Sequence, residues 1–231
     1  MSDYQLLSKN QHRDIKINTN DQNCGFFHTR IAPALISEVN RLVADYPLFI
    51  SKNSQTGEFV LVALLGFDEN ENLFVQNGEW LSSSVPLAFS RQPFLIDHSD
   101  GSVLIDMQSE SISLTDGEAL FDEAGETTAF LQNKLSLLET IYNGAQPTQD
   151  FINLLQQYNL LESVQLDITF ADQSQQNFDG LYTISAEKLA SLDDHKVVQM
   201  HRQNCLEVCY LIHHSLQHMP SLIARKNAKL S

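Results

Sequence analysis

The nine-residue run "FVLVALLGF", residues 59–67, is the densest apolar stretch in the chain and contains no charge. A membrane-spanning helix needs about twenty such residues, so this run is too short for a bilayer and has the length of a buried strand. A chain that carries such a strand must cover it. With 231 residues, 42% of them apolar and 19% charged, there is enough material for a sizeable core without disulfide or metal staples.

The segments on either side divide near residue 126. Before that point "DIKIN", "LFISK", "NLFV", "PFLID" and "SVLIDM" read as further strands separated by clusters of Gly, Asn, Asp and Ser. One helix is expected among them over 33–47, with Leu35, Val39, Leu42 and Val43 on one face and Pro47 at its end. Beyond residue 126 the chain reads as mainly helical. Thr127 or Thr128 caps a helix to about Tyr142, Thr148 opens another to about Leu161, and Ser191 or Asp193 opens the last. Between them "SVQLDITFA", residues 163–171, alternates as a strand should, and "FDGLYTIS" leads into a short helix at "AEKLASL". The expectation is one α+β domain over 1–231, β-rich over 13–126 and mainly helical over 127–226. A mixed, largely antiparallel sheet is covered by the C-terminal helices.

Charge narrows the partners. Of the net charge of −15, the stretch from Asn53 to Asn133 holds fourteen Asp and Glu against Arg91 alone, a local balance of −13. Such a field repels phosphate backbones, which argues against nucleic acid and anionic membrane. Three C-terminal cations, Arg225, Lys226 and Lys229, are expected to be solvated. The start of the chain lacks the basic and apolar regions of a secretory signal, and three cysteines suit free thiols in a reducing compartment, so a cytoplasmic location is expected.

Several stretches imitate metal sites. "HRQNCLEVCYLIHH" puts His201, Cys205, Cys209 and His213 at four-residue steps. On a helix those steps drift by about 40° each and span roughly 18 Å, so four such residues cannot converge on one ion. The same stretch fits a packing stripe of Val198, Cys205, Cys209, Ile212, Leu216, Met219 and Ile223, and that is the expectation. "DENENLFVQNGE" offers Asp68, Asn70, Asn72 and Glu79 at calcium-loop spacing, but Leu73 stands where the loop needs glycine. His98 and Asp100 form an HxD pair that would be two thirds of an iron triad. Cys24, near His28, does not by itself make a nucleophile and base. No catalytic residue set, metal centre or cofactor is expected.

Arg91 is the most informative residue. As the only cation in an acidic stretch of about eighty residues it is expected to meet a carboxylate, because a guanidinium pairs bidentately with that group. The carboxylate belongs either to the protein itself, fixing the 86–93 segment, or to an anionic ligand or partner, with Trp80 and Phe94 as apolar walls.

The ordered series "DYPLFI", "LVALLGFDENENLFV", "GEW", "VPLAFSRQPFLI", "LIDMQSESIS", "GEALFDEAGETT", "FINLLQQYNLL", "FDGLYTIS", "KLASL" and "HHSLQHMPSLIARK" resembles the bacterial SapC family over about residues 13–226. The chain departs from the family pattern at Gln92, where an aromatic is usual, and at Gln203 and Asn204, a region that commonly contains glycine. The resemblance implies no established catalytic residues. It implies partners of two kinds, because the family takes its name from a surface-layer locus and members occur beside genes for flavin-dependent halogenase-like proteins. The similarly named peptide-transporter permease is a different protein. From these readings a non-enzymatic accessory or protein-interaction component is expected, ahead of a metal-dependent enzyme built on His98 and Asp100, or a calcium-stabilised surface-layer component.

Overall fold

The computed structural model describes residues 3–19, 28–53, 56–97 and 99–230. Numbered in chain order, the strands are β1 (Tyr4–Leu6), β2 (Lys16–Ile17), β3 (Ile31–Pro33), β4 (Leu48–Lys52), β5 (Phe59–Leu64), β6 (Val75–Gln76), β7 (Glu79–Trp80), β8 (Phe94–Ile96), β9 (Val103–Asp106), β10 (Ile112–Ser113), β11 (Glu118–Ala119), β12 (Leu161–Thr169) and β13 (Gln175–Ile184). The helices are α1 (Lys9–His12), α2 (Val39–Leu42), α3 (Leu87–Ser90), α4 (Ala129–Gln157), α5 (Ala186–Ala190), α6 (Asp194–Arg202), α7 (Cys205–Ser215) and α8 (Met219–Leu230).

The apolar run becomes β5 and the turn after it, and Leu61 to Leu65 with Phe67 are at most 1% exposed. It lies inside a five-stranded sheet of order β12-β13-β4-β5-β3, whose pairings are all antiparallel. Helix α7 packs against β4 and β13 while α4 packs against β5, which is why β4 and β5 carry almost no polar side chain over their buried lengths. A second sheet, β1-β9-β8, is also antiparallel, and its inner face holds Phe94 and Ile105 in a separate core with Ile15, Ile17, Leu120 and Leu138. The α+β architecture is therefore the expected one: antiparallel sheets from the first half and helices in the second. The second half contributes two long strands rather than one. The alternation of β13 is disguised by a bulge in which Asp179 and Gly180, the latter at φ +78°, lie opposite Gln165 alone.

Where helices were expected at residues 127–142 and 148–161, a single helix of 29 residues runs through. Thr128 caps it as expected, its Oγ1 accepting from the Leu131 amide. Pro147 does not end it, because the tertiary fold needs a rod of about 43 Å to reach both cores. Leu131 and Leu138 near its start sit in the second core, and Phe151, Ile152 and Leu155 near its end sit in the first. Proline removes one amide donor from the ladder. At the next residue, the Thr148 hydroxyl donates to the Gly144 carbonyl (2.7 Å) and accepts from the Ile36 amide (3.0 Å), so it docks a neighbouring segment instead of starting a helix.

That neighbouring segment is the expected 33–47 helix, which is shorter than its periodicity suggests. Pro33 is the last residue of the edge strand β3, Ile36–Glu38 form one 3₁₀ turn, and only Val39–Leu42 are α-helical. The long C-terminal helix is likewise divided. Asn204 adopts φ +56°, a left-handed conformation that favours glycine and that asparagine tolerates, and this breaks α6 from α7. The expected stripe consequently holds from Cys205 through Leu216, Met219 and Ile223, which pack on the main core, but not before the break, where Val198 is 46% exposed.

Lys226 corrects the expectation of a solvated tail. It is 7% exposed, and its Nζ donates to Asp68 Oδ2 (2.6 Å) and Glu71 Oε1 (2.9 Å), fastening α8 to the loop after β5. That loop is the calcium-like stretch. Asn72 is buried with Oδ1 accepting from the Phe74 amide (2.9 Å), and Glu79 lies apart on β7. The turn that does form a hairpin is Asn77-Gly78, both residues at positive φ, joining β6 to β7.

Candidate functional site around Arg91

The short helix α3 is set in place by a carboxylate. Glu38, 3% exposed, accepts from the Leu87 amide (2.8 Å), the Leu35 amide (3.1 Å) and Arg41 Nη2 (3.0 Å). Burial raises the Glu38 pKa above its ordinary value, and the two amides and Arg41 oppose that shift. At the other end of α3, Lys134 of α4 donates to the Ser90 carbonyl (2.6 Å) and reaches the Gln92 carbonyl (3.4 Å). The segment from 86 to 93 is thus held at both ends, and Arg91 sits in the middle of the second hold.

Arg91 follows α3 directly, and its Nη1 donates to the Phe94 carbonyl at 2.8 Å. Loss of water around the half-buried guanidinium lowers its pKa, with Tyr4 opposing. The expected carboxylate within the protein is not there: among the described residues no Asp or Glu oxygen lies within 4.0 Å of the guanidinium. Only one of five N–H donors has a protein partner in the hydrogen bonds described, and none of the guanidinium nitrogens is a buried orphan. The Arg91 side chain lines open space.

That space consists of two cavities. One, of about 280 Å³, is lined by Ala34, Leu35, Ala88, Leu95, Ile96 and Ile141, with Glu38 and Arg91 as its charged members. The other, of about 290 Å³, is polar and includes Tyr4, Gln92, Asp106, Gln108, Ser109 and Glu110. Arg91 and Leu95 line both, so the two cavities share a wall at these residues. The polar one rests on the outer face of the second sheet, where Tyr4 of β1 is the cross-strand partner of Asp106 of β9. In the apolar one the Glu38 charge is matched by Arg41, which leaves the Arg91 charge unmatched.

The other residues singled out from the sequence lie elsewhere. Trp80 is half-buried and packs on Phe89 of α3, ring centroids 5.4 Å apart. Phe94 is fully buried in the second core and offers Arg91 its carbonyl, not its ring. Asp100 caps a turn by accepting from the Ser102 amide (2.9 Å), and His98 and Cys24 lie outside the described residues. Among the described residues there is no group of three His, Cys, Asp or Glu side chains placed to hold a metal. His201 and His213 are exposed, whereas Cys205 and Cys209 are buried. Glu38 and Lys134, which build the site, stood out in neither charge nor motif. The only trace of Glu38 in the sequence is its place as the third residue after Leu35 in a helix start.

Burial pushes the Cys209 thiol up to about 12 and raises Cys205 as well. Native protein treated with a maleimide at pH 8 is expected to leave Cys209 unmodified over hours, as read by peptide mass mapping, and to label it fully once unfolded. Fast native labelling of Cys209 would contradict the packing role. The folded state also keeps this proton more tightly than the unfolded chain. Its contribution to stability is complete below the ordinary thiol value of 9.0 and is lost as pH rises from there towards 12.

No helix among the described residues is long and apolar enough to cross a membrane. A model of the SapC family matches residues 7–222, a span that includes α3, Arg91 and every strand but β1 in full. No curated protein and no solved structure matches the chain.

Proposed function

The chain belongs to the SapC family, and from that premise we propose that it is a non-enzymatic accessory protein that works by binding a protein partner at Arg91. The observation that carries this reading is Arg91 itself, which lines both cavities and whose guanidinium is held by the Phe94 carbonyl, with no Asp or Glu oxygen within 4.0 Å among the described residues. A partially desolvated, unpaired arginine in an otherwise acidic region is a strong point of attachment for an external carboxylate, because the strength of such pairs grows as water is excluded. The candidate partners are those the family resemblance implies: a flavin-dependent halogenase-like protein, or a surface component. A cytoplasmic location belongs to the same proposal, which the free buried thiols Cys205 and Cys209 support.

The test is co-expression with a halogenase-like protein from the same genome, followed by size-exclusion chromatography and calorimetry. A stable complex is expected with the native chain. Arg91→Ala, verified as folded by circular dichroism, is expected to weaken it at least about tenfold, the scale of one lost charge-assisted pair. A folded Arg91→Ala protein that binds the partner as well as the native chain would remove Arg91 from the interface.

A further inference from the structure

We infer that the site at Arg91 holds the C-terminal residue of a partner chain, its carboxylate on the guanidinium and its large apolar side chain in the 280 Å³ cavity. This rests on the partner-binding reading above and specifies what the partner must present. At a chain end the carboxylate and the last side chain leave the same carbon atom. An acceptor site for such an end therefore needs a cation set into the wall of an apolar hollow, and Arg91 is placed that way among Leu35, Ala88, Leu95, Ile96 and Ile141. An internal Asp or Glu carries its carboxylate on the side chain itself and would leave the apolar hollow to be filled by some other residue.

The size agrees. A dry 150 Å³ cavity in a protein core holds benzene, so 280 Å³ has room for roughly ten heavy atoms, enough for any side chain from leucine to tryptophan. Charge agrees as well. With Glu38 matched by Arg41, the cavity presents the charge of Arg91, which suits a single carboxylate. The polar cavity on the far side of Arg91 then takes the residues ahead of the terminus. Its hydrogen-bonding side chains Tyr4, Gln92 and Gln108 suit a backbone, and its carboxylates Asp106 and Glu110 disfavour acidic residues there. One occupant thereby accounts for both cavities and for the arginine between them.

The test is fluorescence polarisation with dye-labelled tetrapeptides that carry neutral residues ahead of a C-terminal phenylalanine, as the free acid and as the amide. The free acid is expected to bind. The amide, and the free acid on Arg91→Gln, are each expected to bind at least about tenfold more weakly. Ala88→Leu fills the apolar cavity, and is expected to weaken the phenylalanine peptide while sparing one that ends in alanine. Should Ala88→Leu fail to fold, the acid and amide comparison decides alone. Equal binding of acid and amide, or no loss on Arg91→Gln, overturns the inference. So does free phenylalanine competing as well as the peptide, which would mark a pocket for a small acid. If no peptide binds but Arg91→Ala still abolishes the partner complex, the chain-end inference fails and the partner reading stands. If the acid binds selectively while the partner complex survives Arg91→Ala, it is the partner reading that fails.

Discussion

Glu38→Ala is expected to lower the unfolding free energy by about 3–5 kcal/mol, measured by urea denaturation at neutral pH. The carboxylate accepts from two backbone amides, those of Leu35 and Leu87, and from Arg41. A hydrogen bond to an ionised group contributes about 1.5–3 kcal/mol, and the two amides have no other acceptor once the side chain is gone. Arg41 is 42% exposed and can turn to water, so its share is small. The loss falls on one place. Leu87 opens α3 and Leu35 opens the 3₁₀ turn against α4, so both the arginine segment and one wall of the apolar cavity lose their anchor. Binding at Arg91 is therefore expected to fall along with stability. Glu38→Gln keeps the shape and separates the charge from it. Because the folded pKa of Glu38 lies above 4.5, the folded state holds the proton more tightly than the unfolded chain. The corresponding contribution is complete below pH 4.5 and is lost as pH rises through the folded value, so the advantage of the native chain over Glu38→Gln is expected to shrink across that window. An Ala variant within about 1 kcal/mol of the native protein would show that Glu38 is no anchor.

Phe94→Ala has an effect of similar size for a different reason. The ring is fully buried among Ile15, Ile17, Ile105, Leu120 and Leu138, in a core separate from that of the five-stranded sheet. Truncation leaves a cavity and forfeits the transfer energy of the ring, together about 3–5 kcal/mol, whereas Phe94→Leu is expected to cost about 1–1.5 kcal/mol. This core is small. Its loss is expected to appear as a lower thermal midpoint and as faster amide exchange in β8, β9 and the first turns of α4, with β4 and β5 less affected. A ring that merely walled a ligand site would cost less than about 1 kcal/mol when truncated, and that result would move Phe94 from the core to the binding surface.

How much of this was legible in the chain depends on the range over which each feature is decided. The strands were legible wherever burial on both faces left an unbroken apolar run, as in β5, and the cap at Thr128 was legible from its own hydroxyl. The continuity of α4 was not. Pro147 is a local stop signal, and it is overridden by two cores about one helix length apart, a fact about elements nearly a hundred residues away. Lys226 read as a surface charge because its partners, Asp68 and Glu71, stand about 155 positions earlier. The site shows the same division. Arg91 was conspicuous as the one cation in an acidic stretch, and that count needs no structure. Trp80 and Phe94, aromatic residues on either side of it in sequence, were the expected walls, yet β8 turns the Phe94 ring inward and Trp80 stacks on the helix.

By itself, then, the sequence determined the α+β class, the family, the buried strand at the centre of the sheet, and the singular charge at Arg91, since each follows from composition, order or short-range period. Only the tertiary structure decided that Arg91 has no carboxylate within 4.0 Å among the described residues, that Glu38 and Lys134 hold its segment, and that two cavities of opposite character share Arg91 as a lining residue. Those are consequences of which distant side chains share a few ångströms of space, and such neighbours are set by the packing of whole elements, which no local pattern in a chain encodes.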